Sequence, residues 1–262
     1  MRREGWRRSL AMVGSQLYYE QLAFWRNPFK AGFTVGFSLV FLVLLAAVGG
    51  TGRIAVYHVR SVQFYVPNFA AYGVMSASFN LLAISLVGRR ETGQLKRLRL
   101  TPLPSWVMLA AVSLSALVVA VVQVVLLVAV GWLAFGLRLP GDPLPLLLAV
   151  VVGALAFVPL GVAASALVPN EEAAGPMLSI AFFVLLFISG LWFPLQPHSV
   201  LAEISGWFPF RRLMLAMQAP FLTASGLQVS PWSWRNLGVV MIWGVASAAV
   251  AVRLFRFEPH RA

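Results

Sequence analysis

Charged side chains are scarce in this chain, yet GRRETGQLKRLRLTPLPSW, from Gly88 to Trp106, gathers Arg89, Arg90, Lys96, Arg97 and Arg99 around a single acid, Glu91. Leu95, Leu98 and Leu100 stand among them, and Pro102 and Pro104 close the run. Proline disfavours helix at the residue before it, so the pattern predicts a short helix ending near Leu100. Apolar residues flanked by charge on a short helix can grip another protein, through complementary charge and through contact. The same residues equally describe an anchor that keeps a loop on one side of a membrane. Composition alone leaves both readings open.

A smaller polar cluster, PNEEAAGP from Pro169 to Pro176, places Asn170 before Glu171 and Glu172. Asparagine caps a helix start and acids favour its positive end, which is the local explanation. A second contact with a partner is the alternative. Catalytic patterns are missing: there is no Gly-x-x-x-x-Gly-Lys-Ser/Thr phosphate loop, no His-Glu-x-x-His pair and no Gly-x-Ser-x-Gly elbow. His58, His198 and His260 are scattered, without the clustering a metal site needs, and the absence of cysteine removes disulfides and thiolate ligands. The chain is therefore expected to bind no cofactor and to have no enzymatic activity of its own.

These clusters must be held by elements suited to a bilayer. Of 262 residues 60% are hydrophobic and 11% charged, and the mean hydropathy is +0.84, whereas soluble domains are about 25% charged. Charge-free runs cover residues 31–50, 66–88, 106–137, 143–169, 173–194 and 236–252. Each is long enough, or nearly so, for the roughly 20 residues a crossing requires. The reading is an all-α polytopic membrane protein with six spans, of which the last is the shortest. The third run is over-long, which predicts tilt or an early exit near Gly131 and Trp132.

A seventh uncharged stretch, residues 213–234, is interrupted by Pro220 and Pro231 and carries Gln218, Thr223, Ser225, Gln228 and Ser230. It reads as short re-entrant or interfacial helices. Residues 8–26 mix apolar and charged side chains as an amphipathic helix in the headgroup plane would, with a solvated tail as the alternative. Tyr65 and seven tryptophans, Trp25, Trp106, Trp132, Trp192, Trp207, Trp232 and Trp234, fall near span ends and read as interface anchors. The organisation is then residues 1–30 as an amphipathic segment, 31–255 as the membrane domain and 256–262 as a tail.

Sidedness follows from Lys and Arg, which short cytoplasmic loops retain. With the amino terminus inside, fourteen of the 20 basic residues fall on the cytoplasmic side and six (Arg53, Arg60, Arg138, Arg211, Arg212, Arg235) on the other. Both termini are expected in the cytoplasm, and a cleaved secretory leader is not expected because Arg2 to Lys30 separate the start from the first apolar run. The net charge of +12 is explained by loops at a membrane, not by nucleic acid.

Deep in the spans the polar residues noted are Asn80 and Gln123, and no Asp, Glu, Lys or Arg stands mid-span. Ion-coupled carriers keep an ionisable group at depth, so an energy source outside the membrane is expected. Phe37, Phe41, Phe79, Phe182 and Phe183, with Asn80, are candidates to line an apolar pathway, or simply to pack or face lipid. Gly32 and Gly36 have the spacing that lets another helix approach closely.

The block RRETGQLKRLRLTPLP after the second span resembles the Arg-Glu-x-Gly-x-Leu-x-x-Leu-x-x-x-Pro-x pattern of ABC type-2 permeases, particularly bacterial drug and antibiotic exporters of the daunorubicin-resistance type. SGLWFP at Ser189 to Pro194 is similar to that family's fifth-span exit, and PNEEAAGP resembles its stretch between the fourth and fifth spans. The order and spacing fit over essentially the whole chain. The resemblance implies the membrane subunit of an exporter, paired with a second copy or a paralogue, in the bacterial inner membrane. It also implies a separate nucleotide-binding protein that holds ATP and magnesium. Arg90, Glu91, Gly93, Leu95 and Leu98 match the pattern and would form the coupling surface. Lys96, where an acidic or neutral residue is common in the family, would belong to the same surface and, with Gln94, departs from many relatives. The cargo implied is a hydrophobic or amphipathic drug or antibiotic. Glycolipid or polysaccharide export, or a scaffold binding anionic lipid through the basic loop, are the rival readings.

Overall fold

The computed structural model describes residues 2–49, 52–54, 56–94, 105–196 and 199–254. Helix α1, Arg2–Trp25, precedes α2, Pro28–Gly49, whose start is set by Asn27 accepting from the Lys30 amide and by Pro28 at the first helical position. A two-residue hairpin, β1 (Arg53–Ile54) and β2 (Val59–Arg60), leads into the second span. That span is built of α3 (Ser61–Met75), a π-turn (Ser76–Asn80) and α4 (Leu81–Glu91). There follow α5 (Ser105–Phe135), α6 (Leu144–Leu167), α7 (Glu171–Ile188), the short α8 (Val200–Ser205), α9 (Pro209–Ala224) and α10 (Trp234–Leu254). Six helices among the described residues are long and apolar enough to cross a membrane: α2, the α3–π–α4 unit, α5, α6, α7 and α10.

The second span is the centre of the bundle. Its most apolar window is 78% buried, against 22% to 50% in the other five. The outer spans thus present much of their surface to lipid or to another chain. Its neighbours lie close because small residues allow it: a Cβ at Gly161 of α6 would stand 2.9 Å from the Phe79 carbonyl oxygen of the π-turn. One at Gly244 of α10 would be 2.8 Å from Ala156.

Several boundaries differ from the sequence reading. The second span begins at Ser61, five residues before its charge-free run, because Gln63 is satisfied inside the protein: its amide donates to the Phe221 carbonyl and Ser225 Oγ and accepts from the Arg138 amide. α5 continues without an exit at Gly131 or Trp132. The shortest span is α7, with 18 residues, not the last. Gly190, at φ +84°, stops it well before Pro194 by turning the Leu191 amide back onto the Leu186 carbonyl.

Pro220 does not break the seventh apolar stretch but sits inside the buried 16-residue α9. Its burial against α3, with Phe210 on the Phe79 and Phe157 rings and Ser225 beside Gln63, makes α9 re-entrant in character and not a surface helix. Trp192 leaves the set of interface anchors, because it packs into an aromatic cluster, 4.8 Å from the Phe41 ring.

One end of the bundle is closed by arginines that reach across to the carboxyl ends of other helices, where free carbonyls and the helix dipole favour a cation. Arg60 donates to the Phe135 and Gly136 carbonyls at the end of α5. Arg211 donates to the Ser189 carbonyl at the end of α7, and Arg212 to Gly206 at the end of α8. Three of the six basic residues on the side opposite the Glu91 end of α4 therefore have a structural duty that a charge count does not reveal.

Candidate coupling site at the end of the second span

α4 carries Arg89 and Arg90 in its last turn, and adjacent residues on a helix point about 100° apart. Arg89 turns to α1, where both its terminal nitrogens donate to Glu20, at 2.7 and 2.6 Å. This is the two-point geometry that a guanidinium and a carboxylate form best. Burial alone would raise the Glu20 carboxyl, but the hydrogen bonds and charge of Arg89, helped by Gln16 and Lys30, outweigh it and hold the group below its ordinary value near 4.5. Gln21, one residue on, donates to the Ser115 carbonyl and hydroxyl of α5 at 3.0 and 2.8 Å. α1 is thereby fastened to both the second and third spans.

Arg90 turns the other way and is 2% exposed. It donates to the carbonyls of Ser165 (3.3 Å), Val168 (2.7 Å) and Pro169 (3.2 Å), closing the end of α6, and its Nε lies 3.3 Å from Glu91. Just beyond, Asn170 Oδ1 accepts from the Ala173 amide and starts α7, with Glu171 and Glu172 in its first turn. Glu171 also comes against Gly88: a Cβ there would meet its Oε1 at 3.1 Å. The last turn of the second span thus ties together α1, α6 and the start of α7.

The sequence-based candidates divide accordingly. Arg90 faces inward as a strut, with Glu91 beside it. Gly93, at φ +69°, ends the helix in the left-handed region, where glycine alone is unstrained. Leu95, Lys96 and Leu98 lie outside the described residues. Asn170 is a cap, while Glu171 and Glu172 remain exposed at the same end of the bundle.

Deeper, the structure brings all five candidate phenylalanines into one cluster. Phe37 lies 4.5 Å from Phe41 and 6.0 Å from Phe183, Phe182 lies 6.3 Å from Phe183, and Phe79 stacks on Phe182 at 5.9 Å. Phe182 and Phe79 are buried, whereas Phe183 is 39% exposed, so the cluster reaches the surface between α2 and α7. Asn80 Oδ1 is buried and accepts no hydrogen bond from the described residues. Gly32 and Gly36 face open space. Gln123 spans to α2, donating to the Thr34 carbonyl and Ser38 Oγ. Asn68, which sequence reasoning passed over, is fully buried and donates to the Gly190 and Leu191 carbonyls while accepting from Gln218. An asparagine inside an apolar run was the signal for it.

A sequence model for ABC-2 family transporter proteins matches residues 56–253, from the hairpin to the last span. The chain belongs to the ABC-2 transporter family. Similarity extends to the Probable multidrug ABC transporter permease YbhR of Escherichia coli K12, 22% identical over 194 residues, which are 74% of this chain and 52% of that protein. It extends also to the Putative transport permease YvfS of Bacillus subtilis 168, 27% identical over 147 residues, 55% of this chain and 60% of that one. This ABC-2 chain spans little more than half the length of these curated relatives.

Proposed function

We propose that the chain is the permease subunit of an ATP-driven exporter in the bacterial inner membrane, with both termini cytoplasmic, and that a separate nucleotide-binding protein docks beneath residues 91–100. The observation that carries this is the three-way joint at the end of the second span. A load applied just beyond Glu91 passes through Arg90 to α6 and α7 and through Arg89 to α1, so a partner closing there displaces four elements together. ATP and magnesium belong to the partner, in keeping with the lack of a phosphate loop in this sequence. Leu95, Lys96 and Leu98 supply the grip, Glu171 and Glu172 a second contact, and Arg90 transmits the motion.

The cargo is a hydrophobic or amphipathic compound, a drug or antibiotic; in support, the Escherichia coli relative YbhR is a probable multidrug transporter permease. It passes along the aromatic surface of Phe37, Phe41 and Phe183, completed by a second copy or a paralogue set against α2 and α7. In support, α2 and α7 are among the least buried spans, and Gly32 and Gly36 leave room there. Inverted vesicles holding the chain and the nucleotide-binding protein of its own operon, given ATP and a fluorescent amphipathic drug, test this. ATP-dependent accumulation is expected, and an absence of it across a panel of drugs would contradict the cargo reading.

A further inference from the structure

Beside the joint lies an open cleft with a cavity volume of about 100 Å³ between α1, α4 and α5, bordered by the start of α2. Its rim is charged, with Glu20, Lys30 and Arg89, and its interior is apolar, with Leu82, Val112 and Val119. Its lining reaches from Arg89 along the second span to Ala77. The thirteen residues from Ala77 to Arg89 rise about 18 Å, close to the half-thickness of a hydrocarbon core of about 30 Å. A polarity gradient of that length matches one leaflet, not a soluble ligand. A second hollow adjoins it at the rim, sharing Lys30, Leu81, Ser85 and Arg89 and opening toward Gly88 and Thr92, which gives room for a head group.

The rim charges are not all used. Glu20 is taken up by Arg89 in two hydrogen bonds. The Lys30 ammonium donates no hydrogen bond among the described residues and lies 5.9 Å from the centre of the Phe24 ring. Glu171 borders only the adjoining hollow. Lys30 thus acts on Glu20 through charge alone, and its ammonium is left with hydrogen-bonding capacity at the rim of the cleft.

We infer that this cleft is a binding site for an anionic membrane lipid from the leaflet on the side of the basic loop, with its phosphate at Lys30 and one acyl chain along α4 and α5. Bound there, the lipid fills the seam between α1 and the two spans to which it is fastened, and its phosphate accepts the hydrogen bonds that the Lys30 ammonium does not make within the protein. The inference stands apart from the exporter reading, since it concerns occupancy of the cleft and needs neither ATP nor cargo.

The test uses the full chain in nanodiscs doped with phosphatidylglycerol bearing a diazirine midway along one chain, followed by mapping of the photo-adducts by mass spectrometry. Adducts are expected at residues 77–82 and 112–119, falling about fivefold in Lys30→Gln and kept in Lys30→Arg. Val119→Trp, which fills the apolar interior while keeping Lys30, is expected to remove them. The same probe with a phosphatidylcholine head group is expected to label the cleft weakly. Equal labelling by both head groups, or adducts spread over lipid-facing Val125, Ile180 and Val245 with no preference for the cleft, shows annular lipid only and overturns the assignment. Transport and nucleotide hydrolysis are read separately, so loss of either leaves this result standing.

Discussion

At the scale of single residues, the ionic and amide groups of this protein act mainly as fasteners. Glu20 is the clearest case for pH. Its folded-state pKa lies below the unfolded one, so its contribution to stability is complete above about pH 4.5 and disappears as the pH falls through the lower folded value. Hydrogen exchange in α1 is expected to rise on acidification below that point, and Glu20→Gln is expected to show the raised exchange already at pH 7, at a cost of roughly 1–3 kcal/mol. Arg90 predicts a different signature. With three carbonyls depending on it, Arg90→Gln is expected to leave binding of the nucleotide-binding partner intact while uncoupling hydrolysis from transport, read as ATPase and vesicle uptake on one preparation. Equal loss of binding and transport would place Arg90 on the docking surface instead. The sequence singled out Arg90 for a coupling surface, but a motif cannot state whether a guanidinium points outward to a partner or back to a helix end, as Arg90 does here.

At the scale of elements, the spans were legible because hydrocarbon tolerates few ions, and six charge-free runs became six long helices. What stayed hidden were features that depend on neighbours. Gln63 lengthens the second span because α9 and Arg138 satisfy it, and no local pattern announces that. The π-turn at Ser76–Asn80 has no sequence signature either, yet it stands where Gly161 brings α6 against its carbonyls. A π-turn takes up one extra residue without turning the helices on either side, so deleting Ala77 is expected to restore regular α-helix and to keep the Arg90 contacts. Hydrogen exchange at the end of α6 checks this, and a rise there in the variant would mean that α4 had turned against α3. Gly161→Val, which drives a side chain into the same carbonyls, is expected to destabilise by about 1–3 kcal/mol, measured as a lower midpoint of thermal unfolding in detergent. An unchanged midpoint would mean that α6 does not pack on the π-turn.

At the scale of the whole molecule, one buried span is surrounded by five more exposed ones and is fixed at its charged end to α1, α6 and α7. That arrangement accords with a high mean hydropathy and concentrated charges: the outer spans leave much apolar surface exposed, and the arginines described fasten helix ends. The overall architecture could be read from composition, whereas the joint could not, because Glu20 and Arg89 are far apart in sequence. The central claim is that a nucleotide-binding protein acts on the loop beyond Glu91. Because the chain contains no cysteine, Leu95→Cys, Lys96→Cys and Leu98→Cys can each carry a single cross-linker in membranes that also hold the nucleotide-binding protein of the same operon. The account predicts a cross-linked pair at one or more of these positions whose yield changes when ATP is added, with none from Val48→Cys at the far end of α2. Cross-linking equally frequent at both ends, or absent from the loop while the complex still hydrolyses ATP, would contradict it.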